Sequence, residues 1–192
     1  MTELQLKNAR HANPLTQLPG SVPTNEELNR RLQQAQAFTL GVVDIDNLKA
    51  FNDCYGYARG DQMIQLLADC LRTHLDTRYD FIGHLGGDDF LLLFGSRNWR
   101  ERSEQLLADF SRRVPSLYDA KEQRQGGIAG QDRSGQPLFI SIVTLSISVT
   151  TPDSDSGLSH QDVVSLAANG KCLAKSQPGN SLSFDSGHRA EY

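Results

Sequence analysis

The 192 residues hold only three cysteines, Cys54, Cys70 and Cys172, scattered and odd in number. That argues against a disulfide framework and for reduced thiols in a cytosol. No cysteine has a histidine nearby at zinc-ligand spacing, and none of the five histidines forms an H-x-x-x-H pair. Excess positive charge is also lacking. The formal net charge is -4 and no basic stripe is visible, which speaks against a nucleic-acid partner. No apolar run approaches the roughly 18 residues of a membrane span, and "MTELQLKNARHA" has no apolar core of the secretory kind. A cytoplasmic protein without direct membrane insertion is expected. Internal repeats and low-complexity tracts are absent.

What is present is the composition of a globular protein, 38% hydrophobic and 22% charged. The length suits one domain with a sizeable core. "NPLTQLPG" (13–20) carries two prolines and a glycine and reads as a loop. "TNEELNRRLQQAQ" has Thr24 three residues before Glu27, a capping-box pattern, and then Leu28, Leu32 and Ala35 at helical spacing. "FTLGVVDID" reads as a buried strand ending at Asp44. "GDQMIQLLADCLRTHL" is a helix with Ile64, Leu67, Ala68, Leu71 and Leu75 on one face. "DFIGHL" and "FLLLF" are strands joined through "GGDD". "WRERSEQLLADFSRRV" is a second amphipathic helix, stopped by Pro115. "QGGIAGQDRSGQPLFISIVTLSISVT" reads as a β-arm turned at "DRSG" and running into a long strand. "SHQDVVSLAANGKCLAK" is a final helix and "SLSF" an edge strand.

The middle of the chain is thus strand, helix, strand, strand, helix, strand. That is the ferredoxin-like βαββαβ order, with a central, mostly antiparallel sheet, flanking helices and an extra β-arm. The first strand carries Asp44 to one edge of the sheet. The helix returns the chain, so the second strand runs the same way and its hairpin tip reaches that edge. Asp44 and Asp46 are expected to face Asp88 and Asp89 there. Taken alone, "GGDD" is a tight turn, with Gly86 and Gly87 supplying positive φ. Together with Asp44 it says more. Several carboxylates at one edge repel each other, and a divalent cation relieves that. Mg²⁺ takes oxygen ligands and leaves room for substrate phosphates, and side-chain-free glycines let phosphates approach backbone N–H groups.

"DIDNLKAFNDCYGYARGD" followed by "GGDDF" resembles the GGDEF family, the diguanylate cyclases of bacterial cyclic di-GMP signalling. "NPLTQLPG" is similar to that family's D-x-LTGLPNR opening and "LAKSQPGN" to its AKxxGRN ending. The likeness runs from about Asn13 to Phe184, which makes the chain one domain, 1–192, within a larger signalling protein carrying sensor or effector domains. It implies a palm-like βαββαβ fold and condensation of two GTP molecules, one on each subunit of a homodimer, into cyclic di-GMP. It implies that Asp44, the Ile45 carbonyl and Asp88 hold Mg²⁺ or Mn²⁺, and that Asp88, Asp89 and Lys49 carry the chemistry. Asn52 and Asp61 would read guanine. Leu48, Lys49, Gly86 and Gly87 would lie along the phosphates, with Lys175 reaching them from the final helix. Read singly, Lys175 is a solvated helix-end lysine, Asp61 a helix N-cap and Asn52 a turn residue.

The departures bear on activity. Asp89 replaces the usual glutamate, Gly179 the arginine of GRN, Tyr57 the histidine of "GH", Gln17 the glycine of "LTGLP" and Ser148 the glycine of "SIG". The upstream RxxD product-inhibition site retains only Asp80, because Thr77 stands at the arginine position and Arg78 is one residue out of register. Two functions follow from different classes: a weak Mg²⁺-dependent diguanylate cyclase, or a catalytically degenerate GTP-binding module that regulates attached domains. A third reading, an RNA-binding ferredoxin-like domain, lacks the aromatic sheet signature and positive charge.

Overall fold

The structure, a computed structural model, describes residues 11–131, 136–152 and 179–185. Its elements in chain order are α1 (Ser21–Gln33), β1 (Thr39–Ile45), α2 (Leu48–Tyr55), α3 (Tyr57–His74), β2 (Phe81–Gly86) and β3 (Asp89–Phe94). Then come α4 (Trp99–Arg113), a 3₁₀ turn (Val114–Leu117), α5 (Ala120–Gln125), β4 (Gly127–Gln131), β5 (Pro137–Ser141), β6 (Leu145–Thr150) and β7 (Ser181–Asp185). The main sheet has the order β2-β3-β1-β6-β7. Its β2–β3, β3–β1 and β1–β6 pairs are antiparallel and only β6–β7 is parallel. The expected ferredoxin-like core is therefore present, with β7 added at one edge.

Alternation along β1 divides the core between the two sheet faces. Val43 and Ile45 join Phe90, Leu92 and Ile147 under α3 and α4, where Met63, Leu67, Leu106 and Phe110 are buried. Leu40, Leu91 and Leu93 pack on the other face against Leu28 of α1. At the crossing of α1 and β2 the backbones come close. A Cβ added at Gly83 would lie 2.2 Å from Thr24 Oγ1.

Three local expectations are corrected. Helix α1 begins at Ser21 rather than after Thr24. Thr24 bonds backwards, its N–H and Oγ1 both donating to the Gly20 carbonyl at 3.1 and 2.7 Å, so it is a helical residue and not a cap. Glu27 accordingly pairs with Arg30 and Arg31 instead of closing a capping box. Pro115 ends α4, but the chain continues helically through the 3₁₀ turn and α5, with Pro115 near the start of that turn, where its missing N–H costs little. The β-arm does not run straight into a long strand. β4 and β5 form a separate hairpin, and Val143 donates its N–H to the Tyr118 hydroxyl at 3.0 Å, which interrupts the strand before β6. The "DRSG" turn, the final helix and Cys172 lie outside the described residues.

The opening loop is held by its own side chains. Asn13 Oδ1 accepts from the N–H groups of Leu15 and Thr16 at 2.9 and 3.3 Å, an Asx-type turn. Gln17 follows with φ 58°, the left-handed region that L-residues adopt at a cost of about 1–2 kcal/mol. A glycine relieves that strain but is freer in the unfolded chain, which takes back about 0.5–1 kcal/mol. Gln17→Gly is therefore expected to raise the unfolding midpoint in a thermal melt by a few degrees, corresponding to about 0.5 kcal/mol.

Candidate functional site

Asp44 lies one residue before the end of β1 and is 1% exposed. The β2–β3 hairpin turns through Gly87 and Asp88, with Gly86 at φ 141° and Gly87 at φ 58°. Positive φ at the first central position is what a tight two-residue hairpin turn of the II′ kind requires. The turn brings Asp88 and Asp89 to Asp44, and one carboxylate oxygen from each of the three lies within 4.8 Å of the others. Oxygens on opposite sides of a Mg²⁺ ion stand about 4.2 Å apart and adjacent ones closer, so the three side chains fit one divalent cation. Among the described residues, a Cβ on Gly86 or Gly87 would meet nothing within 4 Å.

Helix α2 starts at the same edge, three residues after Ile45. Asn47 turns the chain into it with φ 62° and supplies no side-chain cap. The first intrahelical bond runs from Phe51 N–H to the Asn47 carbonyl. The N–H groups of Leu48 and Lys49 therefore face outward along the helix axis, the arrangement that favours anions. Lys49 is exposed, whereas the Leu48 side chain is buried in the core and offers only its backbone.

Asn52 lies on α2 facing the start of α3. Its Oδ1 is buried without a hydrogen-bond partner among the described residues. Gly60 packs directly on it, since a Cβ there would lie 1.9 Å from Asn52 Oδ1. Asp61, next in the chain, is exposed and within α3 rather than its N-cap, which is Gly56. The α2–α3 junction is braced from below. Tyr55 and Tyr118 both pack on Phe51, with ring centroids 4.8 and 4.9 Å away. Arg59 lies 4.7 Å over the Tyr55 ring and pairs with Asp119 at 2.8 Å. Tyr57 points outward and is exposed.

Two residues play other parts than the sequence suggests. Asp46 is not in the carboxylate group. It accepts from Thr144 Oγ1 at 2.9 Å and from Ser146 Oγ at 2.8 Å, tying β1 to the start of β6. Asp80 is buried. Its oxygens accept from the N–H groups of Asp76, Gly95 and Ser96 and from Ser96 Oγ, with Arg102 3.9 Å away. Arg78 points to solvent and grips Asp76, holding that carboxyl down to about 2. Lys175 lies outside the described residues.

Sequence reasoning missed His84. It is 1% exposed, with Nδ1 2.8 Å from Thr16 Oγ1 and Nε2 2.9 Å from the Gly87 carbonyl. Burial pushes its pKa below the usual histidine value, against the pull of Asp88 and Asp89. The signal available was a lone histidine in an apolar strand, which alone reads as a satisfied core residue. A cavity of about 420 Å³ lies elsewhere, between α1 and the 77–81 segment. Its arginines are committed to neighbours: Arg31 donates to Glu27 and to the Leu93 and Tyr79 carbonyls, and Arg30 to Glu27. It shares no residue with the acidic edge.

A palm-like, mostly antiparallel sheet with carboxylates gathered at one edge is the architecture seen here. The family described as "Diguanylate cyclase, GGDEF domain" matches residues 10–127, and the chain belongs to the GGDEF family. It is 36% identical over 98 residues to the diguanylate cyclase DgcP of Pseudomonas aeruginosa, a match that takes in 49% of this chain and 14% of that protein. It is 33% identical over 90 residues to the diguanylate cyclase DgcZ of Escherichia coli, 45% of this chain and 30% of that one. The matched part is thus under a third of these relatives' length. Among solved structures, the diguanylate cyclase SiaD of Pseudomonas aeruginosa, in complex with its activator SiaC, superposes with a TM-score of 0.72 at 25% identity, over 95% of this chain and 64% of that one. The coiled coil and GGDEF domain of DgcB from Caulobacter crescentus, in complex with c-di-GMP, gives 0.71 at 22% identity, over 94% and 88%. No helix among the described residues is long and apolar enough to cross a membrane.

The bonds at Asp80 define a test of its structural part. Asp80→Ala is expected to cost roughly 3 kcal/mol in urea unfolding, because it leaves several N–H groups and Arg102 without their acceptor.

Proposed function

We propose that this GGDEF domain binds GTP with Mg²⁺ or Mn²⁺ at the Asp44–Asp88–Asp89 edge and, as a homodimer, condenses two GTP molecules into cyclic di-GMP at a low rate. The observation that carries the reading is the three carboxylates within 4.8 Å of one another, beside the turn and the start of α2. Asp44 and Asp88, with the Ile45 carbonyl, would hold the cation. Once bound, the cation supplies Lewis acidity toward the α-phosphate and lowers the pKa of the attacking 3′-hydroxyl. The N–H groups of Leu48 and Lys49, the Lys49 ammonium and the turn backbone at Gly86 and Gly87 receive the phosphates. Asn52 Oδ1, buried and without a hydrogen-bond partner among the described residues, suits a donor on the guanine edge, and Asp61 beside it suits the ring N1–H and amino group. Lys175 is retained as a phosphate contact.

Low turnover follows from two departures. Asp89 is one methylene shorter than the usual glutamate. Gly179 stands where an arginine would bring a phosphate-binding charge, and it holds φ 84°, a conformation that disfavours any side chain. That second point also favours the alternative, a GTP-binding regulatory module without turnover. A cyclic di-GMP site at the RxxD position is not proposed, since the one retained acid, Asp80, is buried and engaged. We further propose that the domain is one part of a larger cytoplasmic signalling protein, as the small share of its relatives that it matches supports.

Incubation with GTP and Mg²⁺ followed by chromatography decides between enzyme and module: cyclic di-GMP is expected in small yield, and none over many hours leaves only the module. Calorimetric titration is expected to show chelator-sensitive binding of GTP and weaker binding of ATP; equal affinities would overturn the guanine assignment. Asp88→Ala is expected to weaken Mg²⁺-dependent GTP binding at least tenfold, the scale of one lost charge-assisted contact of about 1.5–3 kcal/mol, with an unchanged melting temperature. Gly60→Ala is expected to displace the Asn52 amide, weakening GTP about tenfold while leaving Mn²⁺ binding intact. Loss of Mn²⁺ binding in that variant would show that the helix itself had moved.

A further inference from the structure

We propose that His84 is a positioning residue that holds the Gly87–Asp88 peptide, and takes its own orientation from Thr16 in the opening loop. The inference rests on the reading of the acidic edge as a metal–nucleotide site and says how that site keeps its shape. The GGDD turn is easy to form and easy to deform, because Gly86 and Gly87 both sit at positive φ with no other described residue packed on them and glycine resists displacement little. Something outside the turn must fix it if three carboxylates are to converge.

The imidazole does this through both nitrogens. A buried ring needs both satisfied. The Gly87 carbonyl can only accept, so Nε2 carries the proton and donates across 2.9 Å. The ring is neutral at physiological pH, since burial lowers its pKa, so Nδ1 accepts from the Thr16 hydroxyl at 2.8 Å. The ring cannot tilt away: it stacks on Phe90 at 4.2 Å with planes 7° apart, and its own backbone N–H donates to the Pro19 carbonyl at 2.8 Å. A trans peptide is planar, with C=O and N–H pointing opposite ways, and no described peptide is cis. Fixing the Gly87 carbonyl against the ring therefore fixes the Asp88 N–H to face away from it. It also fixes the position of the Asp88 Cα, from which the side chain starts. Thr16, in a loop that Asn13 closes, is the anchor of the chain of contacts and touches no carboxylate of the site.

The test uses the whole chain with three substitutions. Thr16→Val removes the hydroxyl and keeps the shape, Thr16→Ser keeps the hydroxyl, and His84→Phe keeps ring volume and stacking. NMR order parameters of the Gly87 and Asp88 amides are expected to fall from about 0.85 to below about 0.6 in Thr16→Val and His84→Phe, and to stay high in Thr16→Ser. Mn²⁺ affinity, read by electron paramagnetic resonance well below the melting temperature, is expected to drop about tenfold in the same two variants and recover in Thr16→Ser. A rigid turn in both variants overturns the proposal. So does a loosened turn with unchanged Mn²⁺ affinity. If the wild-type chain fails to hold Mn²⁺, the metal–nucleotide reading falls instead, and the order parameters alone decide whether the turn is braced.

Discussion

The register of β1 against its neighbours decides where every group at the acidic edge lies. Val43 stands opposite Phe90 on one side and Ile147 on the other. All three are fully buried on the face covered by α3 and α4. Asp44 is thereby placed on the opposite face, the one that carries Leu40, Leu91 and Leu93. A slip of one residue would exchange the faces, putting a carboxylate among Phe90, Leu92 and Met63 and removing it from Asp88 and Asp89. The apolar packing on one face thus enforces the position of a polar residue on the other. The two-sided burial of β1 leaves little freedom to do otherwise.

Within that frame the site is built from three short pieces: the end of β1, the first turns of α2 and α3, and the β2–β3 turn. Each is held by residues outside it. Thr144 and Ser146 tie Asp46 down just past β1, Tyr118 and Asp119 support the α2–α3 junction, and Thr16 reaches the turn through His84. Asn180 does similar work at the far side, accepting from the Leu145 N–H at 2.9 Å where β6 begins and donating to Ser111 on α4. Much of the polar punctuation of the chain is scaffolding around a small chemical core.

Much of this was legible in the sequence, and the reason is strand alternation and element order. A buried strand ending in Asp44, a hairpin through "GGDD" and an intervening helix suffice to bring the two together. What was not legible depends on bonds between distant residues. Thr24 looks like a cap until Gly20 is seen to accept from it. Asp46 looks like a partner of Asp44 until Ser146 is placed beside it. Asp80 looks like half of a ligand site until Ser96 folds over it. Helix α2 was missed because it spans only eight residues, about two turns, and its start depends on Asn47 adopting a left-handed conformation that composition does not announce. Gln17 and Gly179 show the converse: each departs from the family pattern at a position of positive φ, one against the backbone's preference and one with it.

The edge strand β7 has an optical consequence. The chain has a single tryptophan, and Trp99 at the start of α4 stacks on Phe184 of β7 with ring centroids 5.4 Å apart and planes at 24°. Phe184 is itself half-exposed, so the indole is shielded on that side by this ring. Separation of β7 from the sheet would wet the indole and shift its emission to longer wavelength, while leaving the rest of the core unreported. The protein carries its own fluorophore at the seam where its last described strand joins the sheet, and the colour of that one residue reads whether the seam is closed.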